Sequence, residues 1–202
     1  TVRAGDTVLM DDDTEPTERT QLIARTYTVF SAEQVDGAED LLSRRDVVER
    51  DTPERIAAAE AYFAAVGATV TEGGNLAGYD PKADAIRIPA LAQFDTAAHY
   101  SATRAHETTH WTGHPSRLDR DLSGRFGDDA YGVEELIAEL GAAFWCAQAG
   151  ISAVTRPDHA AYLASWLRVL RTDARALVTV ASKAQAAIDH LNTLTGHTIQ
   201  AA

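Results

Sequence analysis

The sequence predicts an α+β fold in which one helix precedes a small sheet and several helices follow it. Residues 52–67 have the start and stop signals of a helix, and residues 68–94 alternate short extended segments with turns. From residue 96 onward, apolar residues recur with the spacing of amphipathic helices. This order of elements is typical of the α+β class.

The composition is that of a folded, acidic chain. With 45% hydrophobic residues among 202, it can build one good core, or one domain with an appendage. No apolar run could span a bilayer, there is no charged-then-apolar leader, and the single cysteine, Cys146, has no disulfide partner. We therefore expect a cytoplasmic protein without membrane contact. The net charge of −12 argues against strong nucleic-acid binding by this chain alone.

The first 50 residues are predicted to be a margin or linker, and residues 51–202 the main domain. Residues 11–20 form a polar run with little to bury, residues 26–30 alternate as in one strand, and Asp36-Gly37 is a turn signal. Because the chain begins without methionine, we expect this margin to be the end of a domain whose greater part is absent.

The main domain begins with a helix and a β-rich stretch. Thr52-Pro53 opens the helix and Gly67 ends it. Its apolar side consists of Ile56, Tyr62, Phe63 and Val66. Residues 68–71 are extended, turns are predicted at 73–75 and 78–81, and residues 85–88 alternate as a strand before a proline. A proline there predicts an edge strand, which could pair with an extended peptide or simply face solvent.

Residues 96–112 predict a helix that carries the pattern His-Glu-x-x-His. Thr96 offers an N-cap, and Gly113 supplies the stop. His106 and His110 lie one turn apart on one face, about 5–6 Å between Cβ atoms, so both can bind one small cation. Glu107 lies beside them, where a carboxylate can take a proton from a water molecule on that cation.

A third ligand has to come from elsewhere in the chain. A third histidine six residues after His110 would complete one known pattern, but that position is Ser116. The other common solution is a glutamate on a second helix, and residues 131–146 fit it. There Glu135 and Glu139 share one face, which predicts Glu135 as ligand and Glu139 as the partner that orients a histidine. Glu134 is the alternative ligand, because a shift of one residue changes which carboxylate points inward.

Several other residues could have either a functional or a structural role. Tyr131, one turn before Glu135, is a candidate donor to a reaction oxyanion or else a core tyrosine, and His114 is a weaker candidate donor. The arginines near the histidines either face an acidic or phosphate-bearing partner or pair with acids of this chain; they are Arg104, Arg117 and Arg120. Trp111, Trp166 and Cys146 are predicted core residues. Two further helices are expected at residues 158–171 and 174–194.

Four segments in order resemble one known family. AGYDPKADAIRIP, HETTHWTGHPSRLDR, YGVEELIAELGAAF and the later HAAYLASWLRVL…ASKAQAAIDHL resemble the metallopeptidase domain of ArdC-type antirestriction proteins. The same domain occurs in plasmid TraC-like primases and phage polyvalent proteins. The resemblance covers residues 52–192 and implies a zincin-like fold. It further implies a Zn²⁺ ion held by His106, His110 and Glu135, with Glu107 as catalytic base.

The resemblance also implies partners. RTYTVFSAEQVDG is similar to the segment that joins the family's single-stranded-DNA-binding domain to its peptidase domain. Single-stranded DNA would then be bound mainly through an absent N-terminal domain, in a bacterial cytoplasm. The first hypothesis is a zinc endopeptidase acting on a protein substrate. The second is a DNA-protecting module, with zinc structural and possible contact to a restriction enzyme, and the third is acidic DNA mimicry based on the net charge. Two histidines and a carboxylate can also bind Mn²⁺, Fe²⁺ or Co²⁺.

Overall fold

The computed structural model describes Thr28 and residues 34–37, 50–122, 129–152 and 176–197, except for the side chains of residues 129–131. The chain divides into two compact units, Thr1–Asp46 and Val47–Ala202. In the first unit, Asp36-Gly37 forms the predicted turn, with Gly37 at a φ of 82°. The predicted strand at 26–30 (apart from Thr28) and the predicted helix at 158–171 with Trp166 lie outside the described residues. The assignment of residues 1–50 to a DNA-binding domain remains a prediction.

The second unit begins with helix α1, Pro53–Val66. Thr52 caps it, since its side-chain oxygen accepts a hydrogen bond from the backbone N–H of Arg55 at 3.3 Å. Gly67 ends it in the left-handed conformation at a φ of 75°, where a side chain would be strained. Both predicted ends are confirmed. The buried face consists of Ala59, Tyr62, Phe63 and Val66.

Three short strands follow: β1 Thr69–Glu72, β2 Gly78–Asp80 and β3 Ala85–Ile88. Their order in the sheet is β1-β3-β2, with β1 parallel and β2 antiparallel to β3. The prediction of a turn at 78–81 is wrong over residues 78–80, which pair with Ala85 to Arg87 as a strand. Glycine and aspartate at its ends obscure this strand in the sequence, because both residues are typical of turns.

The edge-strand prediction for residues 85–88 is also wrong, because β3 is the central strand of the three. Pro89 lies one residue beyond the end of β3, so its missing N–H removes no hydrogen bond from the sheet. Ile86 and Ile88 are 1% and 0% exposed, as expected for a strand with a neighbour on each side. The edges of the described sheet are therefore β1 and β2.

Helix α2, Ala97–Thr112, carries the two histidines. Thr96 caps it as predicted, with its hydroxyl oxygen 3.0 Å from the backbone nitrogen of His99. The helix also ends at Gly113 as predicted, but not through a left-handed residue, since the φ of Gly113 is −76°. A glycine leaves space there: a Cβ atom would lie 2.9 Å from Leu122 Cδ2 and 3.0 Å from both Arg120 Nη2 and the carbonyl oxygen of His110.

Helices α3, Asp129–Ala149, and α4, Ala176–Thr195, complete the described fold. Gly150 ends α3 at a φ of 67°. Trp145 and Cys146 of α3 pack with Phe63 of α1 in the core, and Trp111 belongs to the same cluster. Burial raises the pKa of the Cys146 thiol to about 12. Trp111 and Cys146 are thus core residues, as predicted. None of the described helices is long and apolar enough to cross a membrane.

A polar link around the buried Asn192 joins α1, α3 and α4. The side-chain amides of Gln148 and Asn192 exchange hydrogen bonds of 2.9 and 3.0 Å. The Tyr62 hydroxyl donates to the same Asn192 oxygen at 3.0 Å. These bonds satisfy the polar groups of Tyr62 and Asn192, which would otherwise be costly to bury, and they help to fix how the three helices meet.

Gly141 allows α2 and α3 to approach closely, because a Cβ atom there would lie 2.6 Å from Thr109 Cγ2. Overpacking costs about 1–3 kcal/mol, whereas alanine favours a helix over glycine by about 1 kcal/mol. We therefore expect Gly141→Ala to lower the free energy of unfolding in urea by about 1 kcal/mol.

Two variants test the cause of this loss. Thr109→Ala removes the atoms that would clash, so Gly141→Ala should cost less in that background. Ala143→Ser adds one atom at an exposed position of the same helix and should change stability by less than about 0.5 kcal/mol. A Gly141→Ala protein as stable as the parent would contradict the close approach.

Candidate metal centre

The two histidines of α2 face each other across one helical turn. His106 Nε2 and His110 Nε2 are 3.1 Å apart, and the two rings are nearly perpendicular at a centroid distance of 4.8 Å. His106 and the neighbouring Glu107 are 2% and 3% exposed. Two ring nitrogens that face one small volume, away from bulk water, are suited to binding a cation when both are unprotonated.

Glu135 of α3 approaches the same volume from the opposite side. Its Oε2 lies 3.7 Å from His106 Nε2, and its Oε1 lies 3.4 Å from His110 Nε2. One donor atom from each of these three residues lies within 4.8 Å of the other two. The structure thus brings together the three residues that the sequence predicts as ligands.

Glu134, the alternative ligand, also points inward but meets the other side of His110. Its Oε1 lies 3.1 Å from His110 Nδ1, and Arg120 contacts both of its oxygens. From the sequence, Glu134 and Glu135 are mutually exclusive candidates for the inward-pointing carboxylate. In the structure they are not, because α2 and α3 pack closely enough for consecutive carboxylates to contact the two nitrogens of a single ring.

Glu139 lies one turn after Glu135, beside the first histidine. Its Oε1 is 3.2 Å from His106 Nδ1, although the angle departs from that of a hydrogen bond. A partner that orients His106 has to contact Nδ1, because Nε2 is then left for a cation. The carboxylate of Glu139 lies at that position.

Carboxylates outnumber imidazoles in this buried region. Burial alone would lower the pKa of His110, but hydrogen bonds to Glu134 and Glu135 and the nearby charge of Glu107 raise it to about 10. Burial likewise opposes ionisation of Glu134, but His110 and Arg120 hold its pKa below the usual value. The acids gathered here are Glu107, Glu134, Glu135 and Glu139. Two imidazoles and an excess of carboxylate fit a divalent cation, which would offset charge that is otherwise costly to bury.

Two further candidates remain untested as donors. Tyr131 lies in the first turn of α3, but its side chain is outside the described residues. His114 lies just beyond α2, and its Nδ1 is 2.7 Å from the hydroxyl of Ser116.

The three arginines near the histidines all pair with acids of this chain. Arg104 binds Glu60 at 2.9 Å, and Arg120 binds Glu134 at 2.9 Å. Arg117 binds the carboxylate of Asp84. Of the two predicted alternatives, pairing within the chain is therefore the one that the structure confirms.

Arg117 forms a network that sequence reasoning did not find. It donates to both oxygens of Asp84, which also accepts a hydrogen bond from Tyr79 at 2.8 Å. Its guanidinium carbon lies 3.7 Å from the centre of the Trp111 ring, and its Nε donates to the Trp111 carbonyl oxygen at 2.7 Å. The hydrogen bond from Arg117 is the main cause that lowers the pKa of Asp84. The network ties the turn between β2 and β3 to the end of α2, but no local sequence signal marks a contact between residues this far apart.

The fold and this geometry are those of a metallopeptidase class. The profile of the zincin-like metallopeptidases matches residues 57–183, and the chain belongs to that family. Its sequence is 44% identical over 182 residues to the uncharacterized protein y4eC of Sinorhizobium fredii, covering 90% of this chain and 57% of that protein. It is 41% identical over 159 residues to a DNA primase TraC of Escherichia coli, covering 78% of this chain and 14% of the primase.

Similar solved structures agree with this assignment. A metal-free crystal structure of the antirestriction ArdC protein from plasmid R388 is 43% identical, with a TM-score of 0.66 over 86% of this chain and 62% of that chain. Its Mn(II)-bound structure is 42% identical, with the same TM-score over 84% and 62%. These findings confirm the predicted resemblance and the zincin-like fold. The chain spans less than two thirds of the length of these relatives.

Arg117 provides a first test of the packing around the centre. Arg117→Ala removes charge-assisted hydrogen bonds and the stack on Trp111, so we expect it to lower the free energy of unfolding by about 2 kcal/mol. Urea unfolding followed by tryptophan fluorescence measures this loss. Arg117→Lys keeps the charge but not the planar, two-pronged contact, and should recover only part of it. Unchanged stability of Arg117→Ala would contradict the network.

Proposed function

We propose that this domain binds one Zn²⁺ ion through His106 Nε2, His110 Nε2 and a carboxylate oxygen of Glu135. The observation that carries the proposal is the convergence of these three donors within 4.8 Å of one another. The ArdC protein, whose sequence is 42% identical to this chain over the matched region, has a Mn(II)-bound structure, which supports binding of a divalent cation here. Zinc is the favoured ion because two imidazoles with one carboxylate are typical of catalytic zinc sites, whereas Mn²⁺ prefers oxygen ligands.

Metal content per chain tests this site. We expect close to one zinc per purified chain by elemental analysis, and a clear loss in Glu135→Ala. Added Zn²⁺ should raise the melting temperature of the apo protein, because a ligand of the folded state stabilises it. Glu60→Ala, which alters a glutamate on α1 outside the centre, is the control and should keep both properties. Full zinc content in Glu135→Ala would reject Glu135 as the third ligand.

We further propose that the domain hydrolyses peptide bonds of a protein substrate. A bound Zn²⁺ would lower the pKa of a water molecule and polarise the substrate carbonyl. Glu107 is then the general base: it takes the proton from the attacking water and passes it to the departing amine. Its burial beside both histidines supports this role, because a carboxylate shielded from bulk water can exchange protons with a bound reactant. Tyr131 is the proposed donor to the oxyanion.

The sheet offers a place for such a substrate. Among the described strands, β2 has one edge without a strand beside it, and β2 contacts α2. An extended peptide can add to such an edge through backbone hydrogen bonds, which would bring its carbonyl groups near the helix that carries Glu107. This proposal replaces β3, the central strand, as the predicted docking edge.

Glu107→Gln separates catalysis from metal binding. We expect this variant to keep its zinc and its fold but to cleave quenched fluorescent casein about 10²–10⁴-fold more slowly. Glu60→Gln makes the same chemical change on α1 and should cleave at the parental rate. Cleavage by Glu107→Gln at the parental rate would reject Glu107 as the base.

A second candidate function is protection of DNA without proteolysis, with the metal structural. The similarity to an antirestriction protein over 86% of the chain favours it. The two functions differ in what Glu107→Gln does in cells that carry a restriction enzyme. Full protection by this variant supports the binding module, whereas loss of protection with fold and zinc intact supports the peptidase.

A further inference from the structure

Arg120 lies outside the His-Glu-x-x-His pattern, yet its side chain is buried against the metal centre. Only 6% of that side chain is exposed. Its Nη1 donates to Thr112 Oγ1 at 2.8 Å, and its Nη2 donates to the Thr109 carbonyl oxygen at 2.7 Å. Carbonyl groups in the last turn of a helix lack intrahelical partners, and a cation there is favourable. The guanidinium is thus fixed to the same turn of α2 that carries His110.

The same guanidinium holds both oxygens of Glu134. Arg120 Nε lies 3.0 Å from Glu134 Oε2, and Arg120 Nη2 lies 2.9 Å from Glu134 Oε1. This two-pronged arrangement fixes the plane of the carboxylate as well as its position. Glu134 therefore cannot rotate freely toward the space between the histidines.

The fixed carboxylate in turn contacts His110. Glu134 Oε1 lies 3.1 Å from His110 Nδ1, and an ionised carboxylate can only accept, so Nδ1 carries the hydrogen and donates it. In the neutral ring the lone pair is then on Nε2, the atom that faces His106 and Glu135.

We propose that Arg120 is a positioning residue for the metal site. It holds Glu134 on Nδ1 of His110, which directs Nε2 to the ion and keeps Glu134 from becoming a fourth protein ligand. A bound ion would then have three protein ligands and would keep a position for water or substrate, as a catalytic zinc site requires. This inference rests on the proposed metal binding.

Metal affinity and cobalt spectroscopy test it on the whole chain. The Kd for Zn²⁺ is measured by competition with a fluorescent chelator, and we expect Arg120→Ala and Arg120→Lys to weaken binding by about 10–100-fold. Lysine keeps the charge but cannot hold both carboxylate oxygens, so it should not restore affinity. With saturating Co²⁺, the visible absorption of both variants should differ from that of the parent, because a freed Glu134 alters the ligand set.

A double-mutant cycle shows whether Arg120 acts through Glu134. Arg120→Lys should weaken zinc binding strongly in the parent but by less than about 3-fold when Glu134 is already glutamine. Both changes are conservative in size, so this comparison holds even if Arg120→Ala fails to fold. Equal effects of Arg120→Lys in the two backgrounds would overturn the proposal.

Arg117→Ala is the matched control, since Arg117 lies in the same segment and pairs with Asp84 instead of Glu134. It should lose stability while its Zn²⁺ affinity and Co²⁺ spectrum stay those of the parent. If Arg120→Lys also keeps both, Arg120 is merely structural and the inference fails while the proposed zinc site stands. A parent chain that binds no metal would reject the proposed function, and the inference with it.

Discussion

The close packing of α2 on α3 is the contact on which the candidate metal centre depends. Neither helix holds a complete site: α2 contributes two imidazoles and one carboxylate to the centre, and α3 contributes three carboxylates. Gly141 lets the helices approach closely, because a Cβ atom there would lie 2.6 Å from Thr109 Cγ2 and would force a local shift. At that separation Glu135 contacts both Nε2 atoms, while Glu134 and Glu139 lie beside the Nδ1 atoms. The close approach of these two helices is therefore a condition for the convergence of the proposed ligands.

Local signals predicted much of this arrangement, because they act within a few residues. Thr52 and Thr96 cap their helices as ordinary N-cap chemistry requires, and Gly67 ends its helix by its left-handed conformation. Helical spacing alone was enough to propose His106 and His110 as a pair. The choice of Glu135 as third ligand required an assumption about which glutamate of the second helix points toward the histidines. In the structure Glu135 lies beside both of them.

What the sequence could not predict depends on contacts between distant segments. The position of β3 between β1 and β2 is one example, since Pro89 indicates an edge only if it lies within the strand. The roles of Arg117 and Arg120 are another, because a basic cluster looks the same in sequence whether it faces solvent or buried acids. Likewise, the inward direction of both Glu134 and Glu135 follows from the distance between helices, which no periodicity encodes.

The hydrogen bond between Tyr62 and Asn192 joins residues 130 positions apart, whereas the proposed ligands span only residues 106–135. Leu136 and Ile137 of α3 are covered by Val180 and Ala184 of α4. During synthesis at about 5–20 residues per second, several seconds separate the end of α3 from the end of α4. Both halves of the centre therefore leave the ribosome before their apolar cover does. In that interval the face of α3 that carries Leu136 and Ile137 has to be shielded by other surfaces or hydrated, and an uncovered apolar face of a nascent domain is a site where aggregation can begin.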